Sequence, residues 1–342
     1  MKGILKARPE AGAEFRTDLP MPKVGPRDIL VNVKAAAICG TDQHIYNWTK
    51  YAQDRVPTPM VFGHEFAGDV VEVGAGVTEV KVGDRVAGET HIPCNACYQC
   101  QTDNRHICEN MKIIGVHTPG AFADYIAFPV DCAYKISGEL DYQTAAMMEP
   151  MGVGVHGVAK GDVKGKDIVI YGCGPIGLMA TGAAKCWDAK TITVIDVFDN
   201  KLEVAKQMGA DYVINSKKEN AAKLVLERTG HGCDVVIDYT GNSLAIRSGF
   251  DMLRKGGRFV MVGLPNGETS LDLSDNIIYK EATVIGVTGR EMYQTWEQCE
   301  AILKDPRYNV AATVGGVYKL EDFENAFQDI FDGKPGKMLL IP

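Results

Sequence analysis

Apolar and polar positions change rhythm along this chain. The first ~135 residues carry short β-rich runs broken by Gly and Pro. Examples are Ile29–Val33, Gly68–Gly74 and Val80–Val86. Short strands with frequent turns predict a β-barrel-like domain. From about Lys166 apolar runs recur at Ile168–Tyr171, Ile192–Ile195, Tyr212–Ile214, Val235–Asp238, Phe259–Val262 and Val284–Val287. Helix-like stretches lie between most of them: Ile176–Lys185, Asn200–Met208, Asn220–Arg228 and Ser243–Leu253. Strands alternating with helices predict α/β architecture with a doubly wound parallel sheet. After Gly289 two further helical stretches follow, Thr295–Leu303 and Leu320–Phe331. The apolar tail Met338–Ile341 has the makings of a strand returning to the first domain.

The longest uncharged run, the 17 residues Ile168–Ala184, contains Gly172, Gly174, Pro175, Gly177 and Gly182. It reads as strand, turn and helix rather than a membrane span. Charges and Pro9 interrupt the N-terminus before a signal-peptide core forms, which points to the cytoplasm. A net charge of −8 over 342 residues argues against a general nucleic-acid or anionic-membrane binder.

The run Ile168-Val169-Ile170-Tyr171-Gly172-Cys173-Gly174-Pro175-Ile176-Gly177 is a strand followed by GxGxxG, and Asp196 ends the next strand. Gly172 permits the tight turn, Gly174 lets backbone approach a pyrophosphate, and Gly177 lets helix pack on strand. The following helix N-terminus presents unpaired N–H groups to phosphate. Asp196 suits a ribose diol and repels a 2′-phosphate, so NAD is expected over NADP.

Four of the ten cysteines form Cys94-x2-Cys97-x2-Cys100-x7-Cys108. In a reducing compartment such a cluster indicates metal. Four thiolates suit tetrahedral zinc and leave no position for substrate, so this site is expected to be structural. A second, dispersed set is Cys39 with His64 and Glu65, one thiolate, one imidazole and one carboxylate. Such a set with an open fourth position suits catalytic zinc, although a buried Cys or a lone His is more often ordinary core.

Gly63-His64-Glu65-x2-Gly68-x5-Gly74-x2-Val77, the Cys39 segment, the four-Cys lobe and the glycine turn resemble, in order, the zinc-dependent medium-chain alcohol dehydrogenases. The resemblance covers essentially the whole chain. It implies a GroES-like catalytic domain from residues 1–150 and 289–342 around a Rossmann domain at 151–288. It implies two zinc ions per chain, one on Cys39, His64 and Glu65 and one on Cys94, Cys97, Cys100 and Cys108. It further implies a proton relay through Thr41 and His44, Asp42 behind His64, and Glu149 near the metal. Gly172, Gly174, Pro175, Ile176, Gly177, Asp196, Lys201, Val262, Gly263, Leu264, Val287 and Thr288 are the implied cofactor contacts. His91 and Arg290 are further pocket candidates. A homotetramer acting on a small molecule is the family expectation.

Within the family, the segments Ala37–Trp48, Glu89–Cys94 and Gly289–Trp296 resemble the branch that oxidises L-threonine to 2-amino-3-oxobutanoate. The segment Glu149–His156 is more like polyol dehydrogenases, with Val153 where the threonine enzymes carry Asn. A polyol or 2,3-butanediol is therefore the alternative substrate.

Overall fold

The computed structural model describes residues 1–265 and 267–342. The chain forms two compact units. The first comprises residues 1–150, 291–296 and 314–342, and the second residues 151–290 and 297–313.

In the first unit, strand Asp28–Ala37 is the central member of a seven-stranded sheet. It pairs antiparallel with Glu65–Val73, Tyr125–Pro129 and the C-terminal Lys337–Ile341. The apolar tail thus does return as a strand, almost wholly buried. The core beneath this sheet includes Ile29, Val31, Val33, Phe66, Phe128 and Met338. Phe62 packs edge-on against Phe122, and Phe327 stacks on Tyr46. The run Val80–Val86 is a strand only from Arg85. Gly83 has φ +90°, and the Asp84 carboxylate accepts from the Lys81 N–H, so residues 81–84 form a turn.

In the second unit, six parallel strands are β1 (Asp167–Tyr171), β2 (Thr191–Asp196), β3 (Tyr212–Asn215), β4 (Cys233–Asp238), β5 (Leu253–Met261) and β6 (Thr283–Gly286). Their spatial order is β3-β2-β1-β4-β5-β6. The expected doubly wound sheet is present, and β1 is buried along its full length, as a central parallel strand requires. The order of strand succession reverses between β1 and β4, so the carboxyl ends of these strands flank the switch point where such folds bind ligands.

The sequence assigned 289–342 whole to the first part, whereas residues 289–290 and 297–313 belong to the second unit. Arg307 ties this stretch down, bonding to Asp188 at 2.7 Å and to the Cys186 carbonyl at 2.6 Å. Among the described residues, no helix is long and apolar enough to cross a membrane.

Candidate functional site

In the first unit, two ladder registers bring one donor set together. Ala37 pairs with Glu65 on one side and with Leu339 on the other. Cys39 lies two residues beyond that strand and is the N-cap of helix Gly40–Tyr46. The Asp42 carboxylate accepts from the Cys39 N–H at 2.8 Å, which fixes the cap. Cys39 Sγ, a ring nitrogen of His64 and a carboxylate oxygen of Glu65 lie within 4.8 Å of one another.

These donors suit zinc by type. A second feature supports the fit. His64 Nδ1 and Asp42 Oδ1 are buried without hydrogen-bond partners and face each other at 3.6 Å. An Nδ1–H aimed at a carboxylate leaves Nε2 as the metal-binding lone pair. Burial pushes the Cys39 thiol up, and Lys337 opposes that. A bound cation stabilises the thiolate far more strongly.

Lys337 was not anticipated. Its Nζ lies 2.5 Å from each Glu65 oxygen and 3.0 Å from the Ile38 carbonyl. The available signal was a lone charge opening an apolar strand, because a fully buried Lys requires partners. Glu149 is also buried, and its charge acts on both Cys39 and Lys337.

Thr41 and His44 share the helix Gly40–Tyr46. Thr41 is half-buried and His44 exposed, with His44 Nδ1 3.2 Å from the Thr49 hydroxyl. His91 Nδ1 lies 3.0 Å from one oxygen of buried Glu89, whose other oxygen accepts from Trp296 Nε1 at 2.8 Å. Glu89 had no role in the sequence reading. Arg290, in the second unit, is buried, and its aliphatic stem covers Gly152.

The four lobe sulfurs also lie within 4.8 Å of one another, and all four cysteines are free of disulfides. Backbone N–H groups point at sulfur: Cys94 at Cys108 Sγ (3.2 Å), Cys97 at Cys94 Sγ (3.3 Å) and Asn110 at Cys108 Sγ (3.3 Å). Donors of this kind favour thiolate. Those of Ala96 and Cys97 lower the Cys94 thiol to about 6, while burial pushes Cys100 up to about 12. The set fits a closed metal site.

In the second unit, the glycine turn joins β1 to helix Pro175–Cys186. Gly172 has φ +100°. Gly174 is the helix N-cap and supplies no side-chain cap, so its first N–H groups face outward. A Cβ on Gly177 would stand 1.9 Å from the Gly172 carbonyl oxygen. A cavity of about 830 Å³ opens beside the turn, lined among others by Tyr171, Asp196, Ser216, Lys217, Thr240 and Asn242. Asp196 also accepts from the N–H groups of Cys173 (2.6 Å), Val197 (2.7 Å) and Phe198 (3.1 Å), pinning turn to strand.

Lys201 lies over the Phe198 ring beside Lys217. Val262, Gly263 and Leu264 follow β5, and Val287 and Thr288 follow β6, at the carboxyl edge that also carries the turn. Leu264 is 87% exposed. The cavity residues on the loops after β3 and β4 lay outside the sequence reading, since no spacing marks them.

A family model described as an alcohol dehydrogenase GroES-like domain matches residues 25–138, and one described as a zinc-binding dehydrogenase matches residues 175–305. The L-threonine 3-dehydrogenase of Bacillus subtilis is 40% identical over 100% of this chain and 99% of its own length. That of Pyrococcus furiosus is 39% identical over 100% and 98%. Among solved structures, galactitol-1-phosphate dehydrogenase from Escherichia coli superposes with TM-score 0.91 at 26% identity, covering 100% of both chains. The 2R,3R-butanediol dehydrogenase of Bacillus subtilis gives 0.90 at 27%, covering 100% of this chain and 99% of that one.

Proposed function

The chain belongs to the zinc-binding alcohol dehydrogenase family, and on that footing we propose that it oxidises the secondary hydroxyl of L-threonine with NAD, giving 2-amino-3-oxobutanoate. The observation that carries the choice of substrate is full-length identity of about 40% to L-threonine 3-dehydrogenases, against 27% to the butanediol enzyme.

Cys39, His64 and Glu65 would hold the catalytic zinc, and Cys94, Cys97, Cys100 and Cys108 a structural one. When bound, the catalytic ion supplies Lewis acidity at the substrate hydroxyl, and NAD supplies the hydride acceptor. The remaining work falls to side chains of this chain. Asp42 orients the His64 ring. The Thr41 hydroxyl accepts the proton released from the substrate and passes its own through the cofactor ribose to exposed His44, held by Thr49, which hands it to water. Glu149 holds negative charge close to the donors, where the substrate ammonium needs a partner.

On the cofactor side, the turn Gly172–Gly177 and the helix behind it receive the pyrophosphate, with Pro175 and Ile176 in its first turn. Asp196 at the cavity wall receives the ribose diol, which supports NAD over NADP. Lys201, Val262, Gly263, Leu264, Val287 and Thr288 complete the cofactor contacts. The protein works as a cytoplasmic homotetramer on a small molecule, with neither nucleic acid nor membrane as partner.

Val153 favours a second reading, a polyol or 2,3-butanediol as substrate. NADH formation measured with L-threonine, sorbitol and 2,3-butanediol decides between them. Threonine should have the highest kcat/KM. A site that pairs an ammonium and a carboxylate is left with unpaired charge by a diol, which is costly. A markedly better rate with either polyol would replace threonine as the substrate.

A further inference from the structure

The stretch 40–56, just after Cys39, carries one lysine and one arginine, Lys50 and Arg55, and only the lysine has an acidic partner. Lys50 pairs with Asp54, the acid next to Arg55. Among the described residues no carboxylate pairs with Arg55. Its Nη1 makes one long bond, 3.4 Å to the Tyr51 carbonyl. The guanidinium lies instead over the Tyr51 ring, 4.5 Å from the centroid. The two residues stand four apart, on and just past the short helix Lys50–Gln53, which puts them on one face. A guanidinium stacked in this way is held in place while its N–H groups stay available.

Tyr51 places that charge beside the candidate metal donors. Its ring lies 5.8 Å from the ring of His44, which belongs to the helix that Cys39 caps. Burial pushes the Tyr51 phenol up; Arg55 opposes this, and the charges of Cys39 and Asp42 add to it. The Arg55 charge also reaches His117, which burial, Arg55 and Lys112 together hold below its usual range. His117 Nδ1 accepts from the Ile113 N–H at 3.0 Å, so the neutral ring carries its proton on Nε2 and is a donor there. A substrate that is both an alcohol and an α-amino acid brings an ammonium and a carboxylate. Glu149 suits the first and repels the second. The buried lysines of this unit are engaged, Lys337 by Glu65 and Lys6 by the carbonyls of Glu10, Gly12 and Tyr46. We propose that Arg55 receives the substrate α-carboxylate on its planar fork, and so selects a hydroxy amino acid over a neutral diol. The proposal rests on the L-threonine reading above and adds the residue that recognises the carboxylate.

L-Threoninamide keeps the hydroxyl and the ammonium and has no carboxylate. It is compared with L-threonine at a pH that keeps both amines protonated. In the wild-type holoenzyme kcat/KM for threonine should exceed that for the amide by about 10- to 100-fold, the size of one charge-assisted pair. Arg55→Gln should erase most of that ratio. The loss should fall on KM for threonine rather than on kcat, because the carboxylate is held alike in ground and transition states. Arg55→Lys, which keeps the charge without the fork, should lie between the two. A residue that merely propped the helix would lower both substrates alike. Equal losses on threonine and its amide, or an unchanged ratio in Arg55→Gln, overturn the proposal.

Arg55 is exposed and its one bond is long, so Arg55→Gln should melt with the wild type in differential scanning fluorimetry. If it does not fold, a crystal structure of the wild type with threonine bound decides. A substrate carboxylate within hydrogen-bond distance of the Arg55 guanidinium supports the proposal, and a carboxylate turned to other partners overturns it. Wild type that prefers 2,3-butanediol to threonine removes the substrate reading itself, a separate result seen without any variant, and this proposal falls with it.

Discussion

The three glycines of the nucleotide turn should fail in three different ways when each is changed to Ala. At Gly177 the new Cβ would lie 1.9 Å from the Gly172 carbonyl oxygen, far inside contact distance, and the obstacle is backbone. The helix must move off β1 by more than an ångström. Overpacking of this kind costs about 1–3 kcal/mol, and the upper end applies because no flexible side chain can yield. For a unit of this size that is roughly 5–10 °C in Tm. At Gly174 a Cβ meets nothing within 4 Å, and φ is an ordinary −65°. Gly174→Ala should therefore melt like the wild type and lose NAD affinity, because the methyl group occupies the path to the pyrophosphate. Gly172 sits at φ +100°, so Gly172→Ala pays about 1–3 kcal/mol of backbone strain and also distorts the site. Differential scanning fluorimetry and NAD titration by fluorescence quenching separate the cases. Gly174→Ala with a lowered Tm and intact NAD binding, or Gly177→Ala with wild-type stability, would refute this account of the turn.

Elemental analysis of chelator-free protein should find two zinc ions per chain, and one or none would contradict the two donor sets. Cys100→Ala should lower stability, whereas Cys39→Ala should abolish turnover while NAD binding survives. Asp196→Gly should weaken NAD use and narrow the preference over NADP in kcat/KM. It should also loosen the turn, because three backbone N–H groups lose their acceptor. A wild type that already prefers NADP would show that Asp196 is misread. His44→Ala should slow turnover at neutral pH by about 10²-fold or less, since water partly replaces an exposed shuttle, and Thr41→Ala should be worse. Near-wild-type rates in both would remove the relay.

The second unit was legible because its information is local. The apolar run of β1, the three glycines and the acid ending β2 lie within 30 residues of one another, and each obeys a spacing rule. The cysteine lobe was legible for the same reason. What escaped the sequence are pairings with no local period. Lys337 meets Glu65 across 272 residues, and Trp296 meets Glu89 across 207. Each needs the sheet register before the partners are neighbours. The return of residues 297–313 to the second unit depends on Arg307 and Asp188, a pair that hydrophobic patterning does not see. The strand expected at Val80–Val86 failed for a smaller reason, since a positive-φ glycine and an Asp-capped turn outweighed alternating valines.

Both units place their chemistry at strand ends, and the geometry of sheets explains why. Cys39 lies two residues beyond a strand, His64 immediately before one, and Glu65 and Lys337 each open one. Within a sheet, side chains on neighbouring strands are held about 4.8 Å apart and directed to one face or the other. The mid-strand positions on the buried face are taken up by packing. At the ends the chain bends away, and side chains from neighbouring strands can converge on one point. The interior residues Val31, Val33 and Phe66 are then free to be wholly apolar, and they fix the register on which that convergence depends. A slip of one residue between Asp28–Ala37 and Glu65–Val73 would turn the Glu65 side chain to the opposite face. Burial of the strand interiors thus sets the geometry of the Cys39, His64 and Glu65 donor set.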